Sequence, residues 1–458
     1  MKRTFDAIVV GAGQAGPSLA VDLANAGWNV AMVERELFGG TCVNTGCTPT
    51  KAMVASAHAA HLARRAGDFG IQAGQVTADL RAIKARKDSI VLKSRTGVES
   101  WLRGTKNCTV FTGTASFESP AVMRVGDDLL EAPHIFLNVG ARPAFPGIAG
   151  ADSVPFLTST TILDLEQLPE HLVVIGAGYV GLEFAQMFRR FGSQVTVVDK
   201  NARLAPGEDE DASRTIREIF ESENIQIRVG ATCIHVEPSG EQVSAGLDCN
   251  EGAPHVVGSH LLMAVGRTPN TDDLNLAAAE IDVDEHGYIR VDDQLRTSVP
   301  GVFALGDCNG RGAFTHTSYN DYEIVAANLL KNENRRVSDR IPVHALFIDP
   351  PLAHVGMSEA EVRGRSKPAL IGIRPMTKVS RAIEKGETFG FIKILVDAES
   401  HQILGATVFG TGGDEAIHCI LTAMYARQPA PLLAHSVHIH PTVAELIPTV
   451  LENLKPLE

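Results

Sequence analysis

The sequence predicts an α/β protein: two domains built on parallel sheets, followed by a smaller α+β domain. Three observations carry this reading. Residues 7–34 run strand, glycine-rich turn, helix and second strand, ending in an acid. The same unit returns over residues 172–199 in matching register, with Gly11 answered by Gly176, Gly27 by Gly192 and Glu34 by Asp199. Internal duplication is the economical account of so close a repeat. From about Ile341 the chain changes to alternating strands and a helix.

The bounds agree with several domains. At 458 residues the chain is too long for one ordinary core. Hydrophobic residues make up 44% and charged residues 21%, the balance of a soluble globular protein. A net charge of −13 argues against general affinity for nucleic acid. No apolar run is long enough to span a membrane. The first residues carry Lys2 and Arg3 but pass straight into a strand and a glycine turn, so they are not read as a secretory leader. The expected compartment is cytoplasmic, where a close cysteine pair is more often catalytic than structural.

Each element follows from its residues. Ala7-Ile8-Val9-Val10 is a short buried strand, and Gly11-Ala12-Gly13-Gln14-Ala15-Gly16 follows it. Leu19, Ala20, Leu23 and Ala24 then recur at helical spacing until Gly27. Val30 to Val33 form the second strand, with Glu34 at its end. A lone GxGxxG says little; inside strand, helix, strand and acid it marks a dinucleotide fold. Its first glycines allow a tight turn and the approach of a pyrophosphate, the helix N-terminus supplies amide donors, and Glu34 accepts from a ribose hydroxyl. In the second copy Gly176, Gly178, Gly181 and Asp199 hold the same places. Two such folds imply two dinucleotides, one kept as the redox centre and one an exchanging nicotinamide.

Directly after the first unit stands Gly39-Gly40-Thr41-Cys42-Val43-Asn44-Thr45-Gly46-Cys47-Thr48-Pro49-Thr50-Lys51. Thiolate is the reactive form of cysteine, and helix N-termini and cations favour it. A dithiol pair in a glycine-rich entry to a helix, with Lys51 one turn beyond Cys47, suits exchange with an electron donor. Five residues is longer than the helical contact distance of three or four, so a Cys42–Cys47 disulfide needs a distorted helix. An iron–sulfur site would need a third cysteine where Thr50 stands. A zinc site would need paired ligands, whereas Cys108, Cys233, Cys249, Cys308 and Cys419 are scattered and read as small buried hydrophobes.

Residues 77–101 read as a mostly polar helix whose basic cluster, Arg81, Lys84, Arg86 and Lys87, forms a solvated face. Short strands follow near 110–111, 121–125 and 135–139, and Pro146-Gly147 reads as a linker into the second unit. A charged helix over 211–222 and strands near 225–229 and 234–236 complete that unit. The apolar stretch ending in Gly306-Asp307 puts a carboxylate at a strand's C-terminal edge, where open α/β sheets bind ligands. Near the end comes His435-Ser436-Val437-His438-Ile439-His440-Pro441-Thr442-Val443-Ala444-Glu445. Pro441 favours a first helical turn, which puts His440 just ahead of a helix. Three close histidines raise a metal site, but no ligand set is complete at the usual spacing. A histidine–carboxylate pair, His440 with Glu445, is what activation of a thiolate requires.

With these parts assembled, the chain resembles the class I pyridine nucleotide–disulfide oxidoreductases over essentially its whole length. The matching motifs are GGTCVNTGCTPTK, GAGQAG with Glu34, GAGYVGLE, GRTPN, TSVPGVFALGD and HIHPTVAE. The resemblance implies two Rossmann-like domains and a C-terminal dimerisation domain. FAD would be bound by residues 1–150 and 271–338, NAD(P) by 151–270, and the dimer would form through 339–458. Cys42 would be the interchange thiol and Cys47 the flavin-proximal charge-transfer thiolate. Lys51 would lie near the flavin and pair with Glu183, and Tyr179 would gate the nicotinamide pocket. Asp307 would hold the flavin's ribityl chain, with Gly40, Thr41, Ala115, Gly140 and Thr315 also at the FAD and Gly266 at the nicotinamide nucleotide. Asp199 implies NADH in preference to NADPH. His440, oriented by Glu445, would be the acid/base supplied by the partner subunit of a homodimer.

Within the family, His440-Pro441 and the Gly-Tyr-Val-Gly-Leu-Glu stretch resemble the dihydrolipoamide dehydrogenases, with a small-molecule or protein-bound disulfide as substrate. No cysteine pair stands in the C-terminal tail, unlike in mercuric reductases. Thr45, Thr48 and Thr50 depart from the dihydrolipoamide dehydrogenase pattern and resemble mercuric-reductase-like stress flavoproteins, so metal ions are the alternative acceptors. A flavin-bound redox sensor with little turnover is the alternative of another class. Neither nucleic acid nor membrane is an expected partner, and no metal is an expected cofactor.

Overall fold

A computed structural model describes residues 1–145, 147–231, 234–248 and 253–458. Pro146, Cys233 and Cys249, for which the sequence suggested roles, lie outside the described residues. The chain divides into two compact units. The first comprises 1–52, 84–145 and 266–340.

That unit is built on a five-stranded parallel sheet, ordered Val302–Ala304, His134–Leu137, Ala7–Val10, Val30–Glu34 and Cys108–Thr112. The two strands of the first glycine unit are buried along their whole length, as expected of a parallel sheet covered on both faces. The helix Gly16–Asn25 has Pro17 in its first turn, where no amide is missed, and buries Leu19, Ala20, Leu23 and Ala24. Those side chains join Ile324 and Val325 of the helix Thr315–Lys331 in one core. Burial of Leu19 or Leu23 contributes about 1.5–3 kcal/mol each, and Leu23→Ala would cost about 2–5 kcal/mol. A second sheet orders Lys2–Thr4, Asp128–Glu131, Val122–Val125 and Ala115–Ser119.

The helix expected over 77–101 spans Leu80–Gly104, and Asp79 caps it by accepting from the backbone N–H groups of Arg81 and Ala82. Its basic cluster is not the uniformly solvated face expected. Lys87 is buried and pairs with Asp88, as does Lys84 at 2.9 Å, while Arg86 donates to the Ala52 carbonyl at 2.8 Å. Long basic stems bury readily when a carboxylate or carbonyl meets the charged end.

The second unit comprises 53–83, 146–265 and 341–458. It repeats the motif in a four-stranded parallel sheet ordered Gln226–Arg228, Gln194–Val198, His171–Ile175 and His260–Met263. Tyr179–Phe191 and Glu210–Ser222 are its helices. The unit also contains a six-stranded antiparallel sheet ordered Val343–Leu346, Leu352–Gly356, Ile403–Phe409, Phe391–Asp397, Ala369–Pro375 and Lys455–Pro456, with the helix Gly413–Tyr425 against two of its strands. The fold is therefore two Rossmann-like domains with a C-terminal α+β domain. No described helix is long and apolar enough to cross a membrane.

One boundary differs from expectation. The helix after His440 begins at Leu446, not at Pro441. Thr442 donates its hydroxyl to the Ile439 carbonyl and accepts from the Glu445 amide, and these local side-chain bonds hold residues 439–445 in a turn.

Candidate active site

The two glycine turns have the same construction. Gly11 and Gly176 lie at φ +99° and +112°, and a Cβ at either would collide with a carbonyl oxygen, that of Asn138 or Ala264. Gly16 and Gly181 pack their Cα against the carbonyls of Gly11 and Gly176. The acids hold the turns: Glu34 Oε2 accepts from the Ala12 amide at 2.7 Å, and Asp199 Oδ2 accepts from the Ala177 amide at 2.6 Å. Above Gly178 the space is open, as close approach of a phosphate requires, whereas Gly13 faces the Asn138 side chain.

Asn138 is a residue the sequence reading missed. Its Oδ1 accepts from the Gly16 amide at 3.0 Å and its Nδ2 donates to the Leu305 carbonyl at 2.9 Å, so it ties the helix N-terminus to the Gly306-Asp307 turn. Asp321, also missed, accepts there from the Gly306 amide at 2.8 Å and from Asn309 at 3.0 Å. Asn138 was a single polar residue at the end of an apolar strand and Asp321 one polar residue among several in a helix, both too common to single out.

The redox motif packs on the first turn. A Cβ on Gly40 would lie 2.7 Å from the Cα of Gly13. A short helix, Gly40–Asn44, ends at Thr45, and a second, Cys47–Arg64, starts two residues later. This break supplies the distortion that a five-residue cysteine spacing demands. Both cysteines are free thiols, Cys42 half-buried and Cys47 exposed. The Cys42 thiol is hydrogen-bonded with Cys47; that bond, burial and the nearby Cys47 charge push its pKa far up, while Thr315 and Lys51 pull it down. Thr315 Oγ1 lies 3.3 Å from Cys47 Sγ. Cys47 and Thr315 each open a helix, where the dipole favours an anion.

Asp307 is half-buried, and burial raises its pKa although Arg267 opposes this. The Arg267 Nε stands 3.7 Å from the carboxylate and is buried without a hydrogen-bond partner. Both line a cavity of about 720 Å³. A desolvated carboxylate beside an orphaned N–H is what a polyol or phosphate ligand satisfies, so these residues fit FAD. Ala115 is buried at the start of its strand, the Gly140 carbonyl accepts from the Asn270 amide at 3.0 Å, and the Gly266 carbonyl accepts from the Ala144 amide at 3.0 Å. Thr41 is exposed and its carbonyl accepts from the Thr45 amide at 2.9 Å.

In the second unit Glu183 is buried, its Oε1 accepting from the Phe347 amide at 3.0 Å. Tyr179 donates its hydroxyl to Glu208, a residue the sequence reading also missed. His440 Nδ1 lies 2.9 and 3.1 Å from the two oxygens of Glu445. The His440 side chain is 73% exposed and that of Glu445 15%, so an anchored carboxylate presents an accessible ring. His438 Nδ1 lies 3.1 Å from the Ser436 carbonyl. Among the described residues no cluster of three or more His, Cys, Asp or Glu suits a metal ion. Cys308 is buried, while Cys108 and Cys419 are half-buried.

Comparisons with known proteins identify the family. A family described as pyridine nucleotide-disulphide oxidoreductase matches residues 5–321, and the dimerisation domain of the same family matches residues 343–451. The chain is 32% identical over 451 residues to the dihydrolipoyl dehydrogenase of Chlamydia muridarum, covering 97% of this chain and 96% of that protein. It is 34% identical over 449 residues to a mercuric reductase of Streptomyces lividans, covering 97% and 94%. A solved structure, the Cu(II) complex of the HOCl-induced flavoprotein disulfide reductase RclA from Escherichia coli, superposes with a TM-score of 0.90 at 32% identity, covering 98% of this chain and 99% of that one.

Proposed function

The chain belongs to the pyridine nucleotide-disulphide oxidoreductase family, and on that premise we propose that it exchanges electrons with a small-molecule or protein-bound disulfide in the manner of a dihydrolipoyl dehydrogenase. It is an FAD-dependent NAD(P)H disulfide oxidoreductase, an enzyme that carries its family's dimerisation domain. The observation that carries the substrate reading is the contact of Cys42 with Cys47 beside Thr315 and Lys51.

Bound FAD would supply the two-electron chemistry that links the nicotinamide to the Cys42–Cys47 disulfide. Residues 1–150 and 271–338 would hold it, through Gly11, Gly13, Gly16, Glu34, Gly40, Thr41, Lys51, Ala115, Gly140, Asp307 and Thr315. Residues 151–270 would hold the nicotinamide nucleotide through Gly176, Gly178, Gly181, Asp199 and Gly266, with Tyr179 gating the nicotinamide pocket. Asp199 accepts from the adenosine ribose and repels a 2′-phosphate, so NADH is preferred. Residues 339–458 form the homodimer.

Burial and Cys47 hold the proton on Cys42, so Cys42 needs a base to become a nucleophile. His440, oriented by Glu445 and supplied by the partner subunit, takes that proton. The Cys42 thiolate attacks one sulfur of the substrate disulfide, and His440 protonates the sulfur that leaves. Cys47, as the thiolate, then attacks Cys42, re-forms the protein disulfide and releases the second substrate sulfur as a thiolate. The setting for this chemistry is the cytoplasm, where substrate thiols stay reduced.

A second reading, reduction of a metal ion, draws on the relatives named mercuric reductase, on the neighbour described as a Cu(II) complex, and on Thr45, Thr48 and Thr50 around the cysteines. A steady-state screen with NADH against lipoamide, glutathione disulfide, Hg(II), Cu(II) and quinones separates the two. The disulfide reading expects the highest kcat/KM with lipoamide. A higher value with Cu(II) or Hg(II) overturns it in favour of the second.

A further inference from the structure

Tyr179 opens the helix that follows the second glycine turn, and its ring is partly buried against that domain's core. Its hydroxyl is bound to Oε1 of Glu208. The same oxygen accepts from His344 Nε2 at 2.8 Å. Because a carboxylate only accepts, both partners must be donors. The Glu208 side chain is 3% exposed, and although burial opposes ionisation, the bonds from His344 and Tyr179 keep its pKa low. Burial and Glu208 together hold the proton on Tyr179.

His344 comes from the strand Val343–Leu346 of the six-stranded sheet, and its ring stacks on that of His354 at 5.2 Å. His354 is fixed in turn by Thr407 at 3.0 Å. The segment bearing Glu208 is anchored on both sides. The Glu208 amide donates to the Ala205 carbonyl at 2.9 Å, and the Ala205 amide donates to the Ala177 carbonyl at 2.8 Å. On the other side Asp209 and Asp211 take Lys393, from the strand Phe391–Asp397, at 2.8 and 2.9 Å. Glu208 therefore cannot follow Tyr179 when the ring moves.

We propose that Glu208 and His344 are positioning residues that set the position of Tyr179: Glu208 latches the tyrosine in place, and His344 competes for the same oxygen and weakens the latch. The proposal rests on the reading of Tyr179 as the residue over the nicotinamide site. A ring that swings aside for the nicotinamide breaks its bond to Glu208 and leaves that buried carboxylate to His344. Without His344, opening would leave the carboxylate with neither of these side-chain donors, and the closed position would be favoured. The two substitutions thus act in opposite directions, which general damage to the domain would not produce.

The test uses the FAD-loaded enzyme, with flavin retention and Tm measured for each variant. Tyr179→Phe should lower KM for NADH about tenfold with kcat little changed, since it removes a charge-assisted hydrogen bond from the closed state, and Glu208→Gln, which leaves only a neutral bond there, should lower KM in the same direction. The double variant should do no more than Tyr179→Phe alone. His344→Leu should raise KM. Additive effects of Glu208→Gln and Tyr179→Phe, or KM moving the same way in Glu208→Gln and His344→Leu, overturn the latch. If His344→Leu does not fold, the Tyr179/Glu208 cycle decides alone. Tyr179→Ala separates the premise: an unchanged KM there means that Tyr179 is not at the nicotinamide site, and the proposal falls with it.

Discussion

The Oγ1 of Thr315 lies 3.3 Å from the Sγ of Cys47, and each residue is the first of its own helix. Two helix N-termini and a hydroxyl thus converge on one sulfur, beside a Cys42 thiol that keeps its proton. The asymmetry is chemical as well as positional: negative charge is accommodated on Cys47, and Cys42 waits for a base.

Removal of the hydroxyl tests that asymmetry. Thr315 favours the thiolate, so Thr315→Val should raise the midpoint of the pH dependence of iodoacetamide alkylation in the reduced enzyme by about one unit, the equivalent of about 1.4 kcal/mol. A midpoint that stays in place would show that the hydroxyl does not act on the thiols.

The two cysteines should also differ in colour. With Cys47 as the thiolate nearest the flavin, Cys42→Ser should carry a standing long-wavelength absorbance band at neutral pH, and reduced Cys47→Ser should lack it. Identical spectra in the two variants would reverse or remove the assignment.

Much of this was legible in the sequence because the governing constraints are local. The repeat of Gly11 and Glu34 in Gly176 and Asp199 is written in residue types and spacing, and the structure repeats it down to the acid accepting from the second residue of each turn. The five-residue gap between the cysteines demanded a helix break, which falls at Thr45-Gly46. What stayed hidden depends on contacts distant in sequence. Asn138 meets Gly16, and Glu208 meets His344, across more than a hundred residues each. Lys87 looked solvated because nothing in a polar helix announces which charge turns inward. The turn at Pro441 was misread because Thr442 offered the backbone local bonds that compete with a helix.

Nucleotide choice should rest on Asp199. Its Oδ1 accepts from the Asn201 amide at 2.7 Å and its Oδ2 from the Ala177 amide, so the carboxylate is fixed in place and cannot turn away from a 2′-phosphate. We expect kcat/KM for NADH to exceed that for NADPH by about 10–100-fold, or about 1.4–2.8 kcal/mol, and Asp199→Ser to remove most of that gap. Lys200 and Arg203 lie close in sequence, so the preference is not absolute. Equal or better turnover with NADPH in the unmodified enzyme counts against it.

His58 offers a test through stability. Its Nδ1 lies 2.6 Å from Oδ2 of Asp349, and that bond raises its pKa against the effect of burial. A histidine raised in the folded state stabilises fully below the unfolded value of about 6.5, and that contribution is lost as pH rises through the folded pKa. His58→Gln should therefore lower Tm more at about pH 5.5 than at about pH 9. An equal loss at both would mean that the pair contributes through packing and not through charge.

Which chain supplies the histidine is tested by mixing. Imidazole is the side chain suited to exchange protons at neutral pH, and Glu445 fixes which nitrogen of His440 faces outward by binding Nδ1. The outward nitrogen is then Nε2, on a ring that stands largely in solvent in the single chain. A general base for Cys42 must reach the thiol, and in a twofold dimer each ring would serve the other chain's cysteines. Cys42→Ser and His440→Ala homodimers should each be inactive towards a disulfide. Dissociated and reassociated together, they give heterodimers with one site carrying both lesions and one site carrying neither. At random pairing half the dimers are mixed and half of their sites intact, so activity per chain should recover to about a quarter of wild type. Mixed dimers that form, keep their flavin and remain inactive would place His440 in its own chain's site or outside catalysis altogether.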